Sequence, residues 1–363
     1  MERTKNNRCF EELFQLYLPE RIRCAVANIQ ESYISDLEEL RIRAGFPLMG
    51  VFSGYDCFIT PDGRLTGDSS HALTVTLDEL NNLFYSLCEH SVYAYQEDIK
   101  RGFITLRGGH RAGICGTVVY QGEEITGIRD ISSVNIRLSR QLKGCADGLI
   151  DSIIRNKCDI YNTLILSPPR CGKTTLLRDI ARHISQGSSN FRGLRTAVID
   201  ERSEIAANYK GIPQNDLGPR TDILNGCRKK DGIEIALRGM SPHVIIVDEL
   251  GDQKDAEAIK MAWNAGVRII ATAHAFSLED FKGRFGVGQL ASQNGFERII
   301  LLGMNDGERW VRVMDANGNE LDFLNQNDWL SHDFYRLHSN RTEVVSQADT
   351  EAACTSKIYR DTC

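Results

Sequence analysis

The rhythm of apolar and polar positions changes near residue 150. Upstream, residues 77–90 (LDELNNLFYSLCEH) set Leu77, Leu80, Leu83, Phe84 and Leu87 three or four apart, which predicts a helix with one apolar face. Thr76, followed three residues later by Glu79, supplies a capping box for its start. The stretches FITLRGG, RAGICGTVVY and VNIRLS read as strands, with turns at Gly108-Gly109 and Gln121-Gly122. Residues 1–145 therefore predict a smaller α+β domain.

Downstream, TLILS, RTAVID, VIIVDE and VRIIATA are short, continuously apolar runs, separated by helical stretches such as 253–264 (QKDAEAIKMAWN). Strands buried on both faces carry this pattern. Residues 146–317 thus predict an α/β domain with a parallel sheet and crossover helices. From 318 the periodicity is lost, and 318–363 reads as a polar, flexible tail.

Composition narrows the classes. Hydrophobic residues at 42% and charged residues at 25% of a 363-residue chain exclude wholesale disorder. Lys+Arg 43 against Asp+Glu 49 gives a net charge of −6. No nucleic-acid partner is expected, although a local basic patch stays open. No apolar run approaches the roughly 18–20 residues that span a bilayer. The opening MERTKNNRCF has no apolar stretch behind its basic residues, so no signal peptide and a cytoplasmic location are expected. The 11 cysteines are scattered without a CxxC pair, so structural zinc is not expected and free thiols are.

The main chemical signal is Ser167-Pro168-Pro169-Arg170-Cys171-Gly172-Lys173-Thr174-Thr175, between the strand TLIL and the helix TTLLRDIARHI. This is the context of a phosphate loop of Walker A type, in which backbone N–H groups and a helix N-terminus converge on phosphate. Lys173 is placed on the β- and γ-phosphates and the Thr174 hydroxyl on Mg²⁺. Ser167 stands where the usual pattern has Gly, a cost only if that position needs positive φ. Cys171, beside two cations and a helix start, is expected to be the most reactive thiol if exposed.

Val244-Ile245-Ile246-Val247-Asp248-Glu249 ends a strand in two carboxylates: Asp248 for the metal, Glu249 as general base for the attacking water. The strand ending in Asp200-Glu201-Arg202-Ser203-Glu204 is expected to lie between these two strands and leave room for a base beside the γ-phosphate. Val267–His274 ends in Thr272 and His274, where a neutral His can report the nucleotide state.

Together these boxes resemble the secretion ATPase superfamily of the RecA-like class. The resemblance implies functional roles for Lys173, Thr174, Glu204, Glu249 and His274. It departs at Asp248, where secretion motors commonly have Gly. The run 93–105 (YAYQEDIKRGFIT), Gly108–Gly113, Ile131–Arg137 and SPPRCGKTTLLRDIAR is similar to the sporulation ATPases of the stage III sporulation protein AA family. That similarity covers roughly 35–315. It implies a RecA-like P-loop ATPase domain with a smaller α+β N-terminal domain. It also implies ATP and Mg²⁺, a homo-hexameric ring, and docking on membrane-embedded channel proteins of the same sporulation operon. The location implied is the mother-cell side of the channel to the forespore. In such ATPases the N-terminal domain lends arginines to the nucleotide, which makes Arg111 and Arg137 the candidates, ahead of Arg107 and Arg129. Two rivals stand beside this motor: an ATP-switched scaffold of the channel base with little turnover, and a nucleic-acid translocase. Net charge and the lack of an aromatic-basic stretch argue against the second.

Overall fold

Alternation within single strands decides how both halves of the chain bury their apolar residues. The computed structural model describes residues 10, 12–52, 55–169, 171–293, 295–305 and 308–325. They fall into two compact units that divide between Arg140 and Gln141.

The N-terminal unit holds β1 (Leu37–Arg43), β2 (Met49–Phe52), β3 (Tyr55–Ile59), β4 (Leu65–Thr66), β5 (Phe103–Thr105), β6 (Arg111–Gln121) and β7 (Glu124–Arg137). These form a seven-stranded antiparallel sheet in the order β4-β3-β2-β1-β7-β6-β5. In β1, Leu40 and Ile42 are fully buried, while Glu39, Arg41 and Arg43 take the alternate positions. The helix Leu77–Leu87 adds Leu80, Leu83, Phe84 and Leu87 to the same core. Its capping box is formed: Glu79 N–H donates to Thr76 Oγ1 at 3.2 Å, and Thr76 N–H donates to Glu79 Oε2 at 2.8 Å. Leu77 departs from expectation and is 57% exposed. As the first helical residue its side chain leans back past the helix start, beyond the packed turns.

In the second unit a short helix, Ile150–Ile153, leads into a small hairpin, β8 (Ile154–Asn156) and β9 (Asp159–Ile160). Its main sheet contains β10 (Thr163–Ser167), β11 (Thr196–Asp200), β12 (Thr221–Asn225), β13 (Val244–Val247), β14 (Arg268–His274), β15 (Arg298–Asn305), β16 (Glu308–Asp315) and β17 (Glu320–Asn325). The order is β12-β11-β13-β14-β10-β15-β16-β17. Strands β12 to β15 in that order are parallel, and β16 and β17 extend the sheet antiparallel.

Two expectations change here. The strand between β10 and β13 is β14; β11, expected there, lies beyond β13. Chain order does not fix sheet order, because a crossover helix can carry the chain past a neighbour. The polar stretch from 318 starts with β17 rather than tail, since an edge strand needs few apolar residues to pair. The remainder of that stretch, from 326, lies outside the described residues.

The parallel strands alternate between two cores. Ile165, Val198, Ile246, Ile270 and Ile300 meet the helix Lys173–Gln186 through Leu176, Leu177, Ile180 and Ile184. Leu164, Ile199, Ile245, Ile269 and Ile299 meet the opposite layer, built from helices Lys229–Gly239 and Gln253–Asn264. Truncating one such residue, as in Ile246→Ala, is expected to cost about 2–5 kcal/mol. Gly303 in β15 is required by close approach: a Cβ there would sit 2.0 Å from the Trp310 ring of β16.

Candidate active site

The same alternation delivers polar residues to one place. Ser167, Asp200, Asp248, Thr272 and His274 follow Ile165, Val198, Ile246 and Ile270 at even steps. They therefore end their strands on the face covered by the helix Lys173–Gln186, at the carboxyl edge of the sheet.

The loop from β10 to that helix begins at Ser167, which is fully buried and has no positive φ, so serine costs nothing there. Gly172 is the N-cap, at φ 91°, a conformation that favours glycine. No side chain caps this helix, so its first N–H groups are left to the loop. Arg170 lies outside the described residues. Cys171 is 5% exposed, its Sγ 3.7 Å from Pro169 O, so the exposure on which its expected reactivity depended is not met. Pro168, Pro169 and Thr175 complete the loop and the first helical turn.

Lys173 is 7% exposed. Its Nζ lies 3.1 Å from Ser167 Oγ, 3.4 Å from the carbonyls of Ser167 and Pro168, and 2.9 Å from His274 Nδ1. Burial lowers its pKa; charge on Asp248, Cys171 and Glu249 opposes that shift. An ammonium only donates, so His274 Nδ1 accepts and the ring proton sits on Nε2. Nε2 faces Glu249 Oε1 at 3.6 Å. Glu249 Oε2 is ion-paired with Arg202.

Asp248 binds two hydroxyls. Thr174 Oγ1 donates to Oδ2 at 3.1 Å, and Thr272 Oγ1 donates to Oδ1. The Thr272 oxygen also accepts the N–H of Glu249 at 2.8 Å, which holds Glu249 at its left-handed φ of 53°.

Of the three expected acids at the end of β11 and just after it, Asp200 and Glu201 bind through their carboxylates and to separate partners, and Glu204 is held through its backbone carbonyl. Asp200, 1% exposed, accepts the backbone N–H groups of Glu204, Ile205 and Ala206 at 2.8, 3.1 and 2.8 Å. Burial raises its pKa and those hydrogen bonds oppose the rise. Glu201 binds Lys229 at 2.7 Å. The Glu204 carbonyl accepts both Nε and Nη2 of Arg178, at 3.1 and 2.7 Å.

Sequence reasoning missed Arg178, Arg202 and Arg309. Arg178 lies on the phosphate-loop helix. Burial lowers its pKa, and the charges of Asp200, Asp248 and Glu204 oppose that. Its sequence signal is weak, because it is one of several charged residues in the helix KTTLLRDIARHISQ. Arg309 of β16 brings Nη1 to 3.8 Å from where a Cβ on Gly172 would stand. Nothing local in sequence points to it, because β15 and β16 carry it there.

Arg111 and Arg137 belong to the N-terminal unit. They are directly opposite in the β6–β7 ladder. Arg111 stacks over Phe103 at 4.1 Å, and Arg137 Nε lies 3.9 Å from Glu39 Oε2. Among the described residues, no helix is long and apolar enough to cross a membrane.

A parallel sheet with β14 between the loop strand and the acidic strand, an α+β unit before it, and this polar edge define a RecA-like P-loop protein. The fold is similar to that of the pilus retraction motor PilT with bound ADP: TM-score 0.51, 16% identity, over 87% of this chain and 86% of that one. The chain belongs to the sporulation stage III, protein AA family, whose model matches residues 8–321. It is 38% identical over 305 residues to stage III sporulation protein AA of Bacillus subtilis (strain 168), covering 84% of this chain and 95% of that relative. It is also 28% identical over 152 residues to SEEDLING PLASTID DEVELOPMENT 1 of Arabidopsis thaliana, covering 41% of this chain and 21% of that protein.

Proposed function

We propose that this protein is a Mg²⁺-dependent ATP hydrolase that energises or gates a channel between mother cell and forespore. The observation that carries the reading is the run of contacts Ser167–Lys173–His274 across β10 and β14, whose imidazole Nε2 then faces Glu249 at 3.6 Å, just after β13. It runs from the group proposed to hold a terminal phosphate toward the group proposed to handle water.

The Thr174 hydroxyl and the Asp248 carboxylate are hard oxygen donors that already share one hydrogen bond, which suits Mg²⁺. Bound there, the ion supplies charge neutralisation for the phosphate oxygens. Lys173 and the first N–H groups of its helix bind the β- and γ-phosphates. Arg309 adds a second cation at the loop. Glu249 takes a proton from the attacking water as the bond from the γ-phosphorus to its bridging oxygen breaks. His274 donates from Nε2 toward Glu249 and holds its carboxylate in place. Arg111 and Arg137 are proposed to meet the γ-phosphate, and Glu204 to support the water. A homo-hexamer, peripheral to the membrane through channel partners of the same operon, completes the proposal.

A second reading rests on Glu249 itself. One of its oxygens is ion-paired with Arg202 and the other faces His274, so the base is engaged on both sides. That favours an ATP-switched scaffold with slow turnover.

Steady-state ATP turnover with nucleotide binding separates the two. Lys173→Ala should lose tight nucleotide binding. Glu249→Gln should bind ATP as the parent does and lose turnover by about 10²–10⁴-fold. Parent turnover no faster than that of Glu249→Gln would establish the scaffold; failure of the parent to bind nucleotide would overturn both readings.

A further inference from the structure

At the amino edge of the second sheet, opposite the strand ends that hold the candidate site, cations exceed acids, and the acids Asp159 and Glu297 are already paired with Arg268 and Arg155. The loops at 154–158 (IRNKC), 187–195 (GSSNFRGLR), 218–220 (GPR) and 240–243 (MSPH) contain no Asp or Glu, in a chain whose acids outnumber its bases. They carry Lys157, Arg192, Arg195, Arg220 and His243, all exposed. Arg155, the other cation in these loops, pairs with Glu297 at 3.3 Å and is spent.

The loops are tied to each other through their backbones. Arg192 N–H donates to Lys157 O at 2.7 Å. His243 N–H donates to Arg195 O at 2.9 Å, and Arg195 N–H donates to His243 Nδ1 at 3.2 Å. Thr196 N–H donates to Arg220 O at 2.9 Å. The cations therefore sit on a fixed platform rather than on separate flexible arms. Among the described residues, none of Lys157, Arg192, Arg195 and Arg220 makes an ion pair, and Asp222 in the adjoining strand pairs with none of them. Burial lowers the pKa of His243, and the positive charges of Arg195 and Arg192 beside it lower it further. Unpaired like charges held together lower stability unless something anionic meets them.

We propose that this edge is a docking surface for an acidic segment of a partner protein. Arginine predominates, and its planar fork matches carboxylates two at a time. No large exposed apolar side chain lies in these loops to anchor in a bilayer, and no exposed Phe, Tyr or Trp ring offers a base a stacking platform. Both features favour a carboxylate-rich peptide over a lipid surface or a nucleic acid. The surface also has a mechanical link to the phosphate loop. Arg220 Nη1 donates to the carbonyls of Ser185 and Gln186, at 2.8 and 3.1 Å, and so caps the far end of the helix that begins at Lys173.

The test uses the full chain and three probes at about 0.15 M salt: a fluorescent twelve-residue Glu/Asp peptide, vesicles of phosphatidylcholine with phosphatidylglycerol, and a single-stranded oligonucleotide. The peptide should bind, more weakly as salt rises. Arg192→Glu with Arg195→Glu should weaken it at least tenfold, and the Gln pair should fall between, with nucleotide binding unchanged in both. Peptide affinity equal in parent and Glu pair would overturn the proposal. So would tighter binding of the vesicles or the oligonucleotide than of the peptide. Because nucleotide binding is measured separately, loss of the ATPase reading would leave this result standing.

Discussion

Thr272 and Asp248 are joined across neighbouring strands by one hydrogen bond, from a fully buried hydroxyl to a carboxylate oxygen. The same hydroxyl accepts the Glu249 N–H. One oxygen thus fixes both the proposed metal carboxylate and the backbone of the proposed base. Thr272→Val keeps shape and removes both bonds; hydrogen bonds to charged groups are worth about 1.5–3 kcal/mol. A stability loss of about 2–3 kcal/mol is expected in urea titration, with turnover reduced at least tenfold and Thr272→Ser near the parent. Parent-like turnover in Thr272→Val would remove Thr272 from the site.

Gly172 holds φ 91° at the helix start, and an added Cβ would meet only the Arg309 guanidinium at 3.8 Å. Space is available, so the penalty of Gly172→Ala is conformational, about 1–2 kcal/mol. Nucleotide binding should suffer more than the melting temperature, because the loop N–H groups rotate. Isothermal titration with ATP-Mg²⁺ and with ADP reads this directly; unchanged affinity for both contradicts it.

Burial changes the thiol chemistry expected for the loop. Cys24, Cys115 and Cys158 are exposed, whereas Cys171 is buried. Brief alkylation followed by peptide mapping should label those three well before Cys171, with or without ATP-Mg²⁺. Early labelling of Cys171 would mean that the loop opens in solution.

His110 offers a pH test of the N-terminal unit. It is 1% exposed, and its Nδ1 accepts the Ser139 N–H at 3.0 Å. Burial, with Arg140 nearby, lowers its pKa from 6.5 to about 4. The fold therefore favours the neutral ring. Between about 6.5 and about 4 the unfolded chain binds the proton first, so stability falls as pH falls through that window, by up to about 3 kcal/mol. Above 6.5 the contribution is flat. His110→Gln, which can still accept from Ser139, should show a shallower loss of urea midpoint between pH 7 and pH 5. Parallel losses in the two proteins would assign the acid sensitivity elsewhere.

Much of this was legible in sequence because it is local. Continuous apolar runs gave the parallel strands, Thr76 and Glu79 gave a helix start, and Gly172-Lys173-Thr174 gave the loop. Which strand neighbours which was not legible: β14 and β11 have the same texture, and only packing decides between them. Arg309 was invisible because its relation to Gly172 runs through two antiparallel strands. Leu77 was misplaced because periodicity does not say where packing stops. The partners of Asp200, Glu201 and Glu204 depend on a turn that no spacing rule describes.

The alternation in β14 makes the site sensitive to counting rather than to chemistry. Thr272 and His274 are interleaved with Ala271 and Ala273. A slip of one residue in this strand would turn the alanines toward Lys173 and send the hydroxyl and the imidazole into the opposite core. Point changes at 271 or 273 leave that order intact, but a single-residue deletion anywhere in 268–273 does not. At 271 and 273 the letters can change, but across this strand their number cannot.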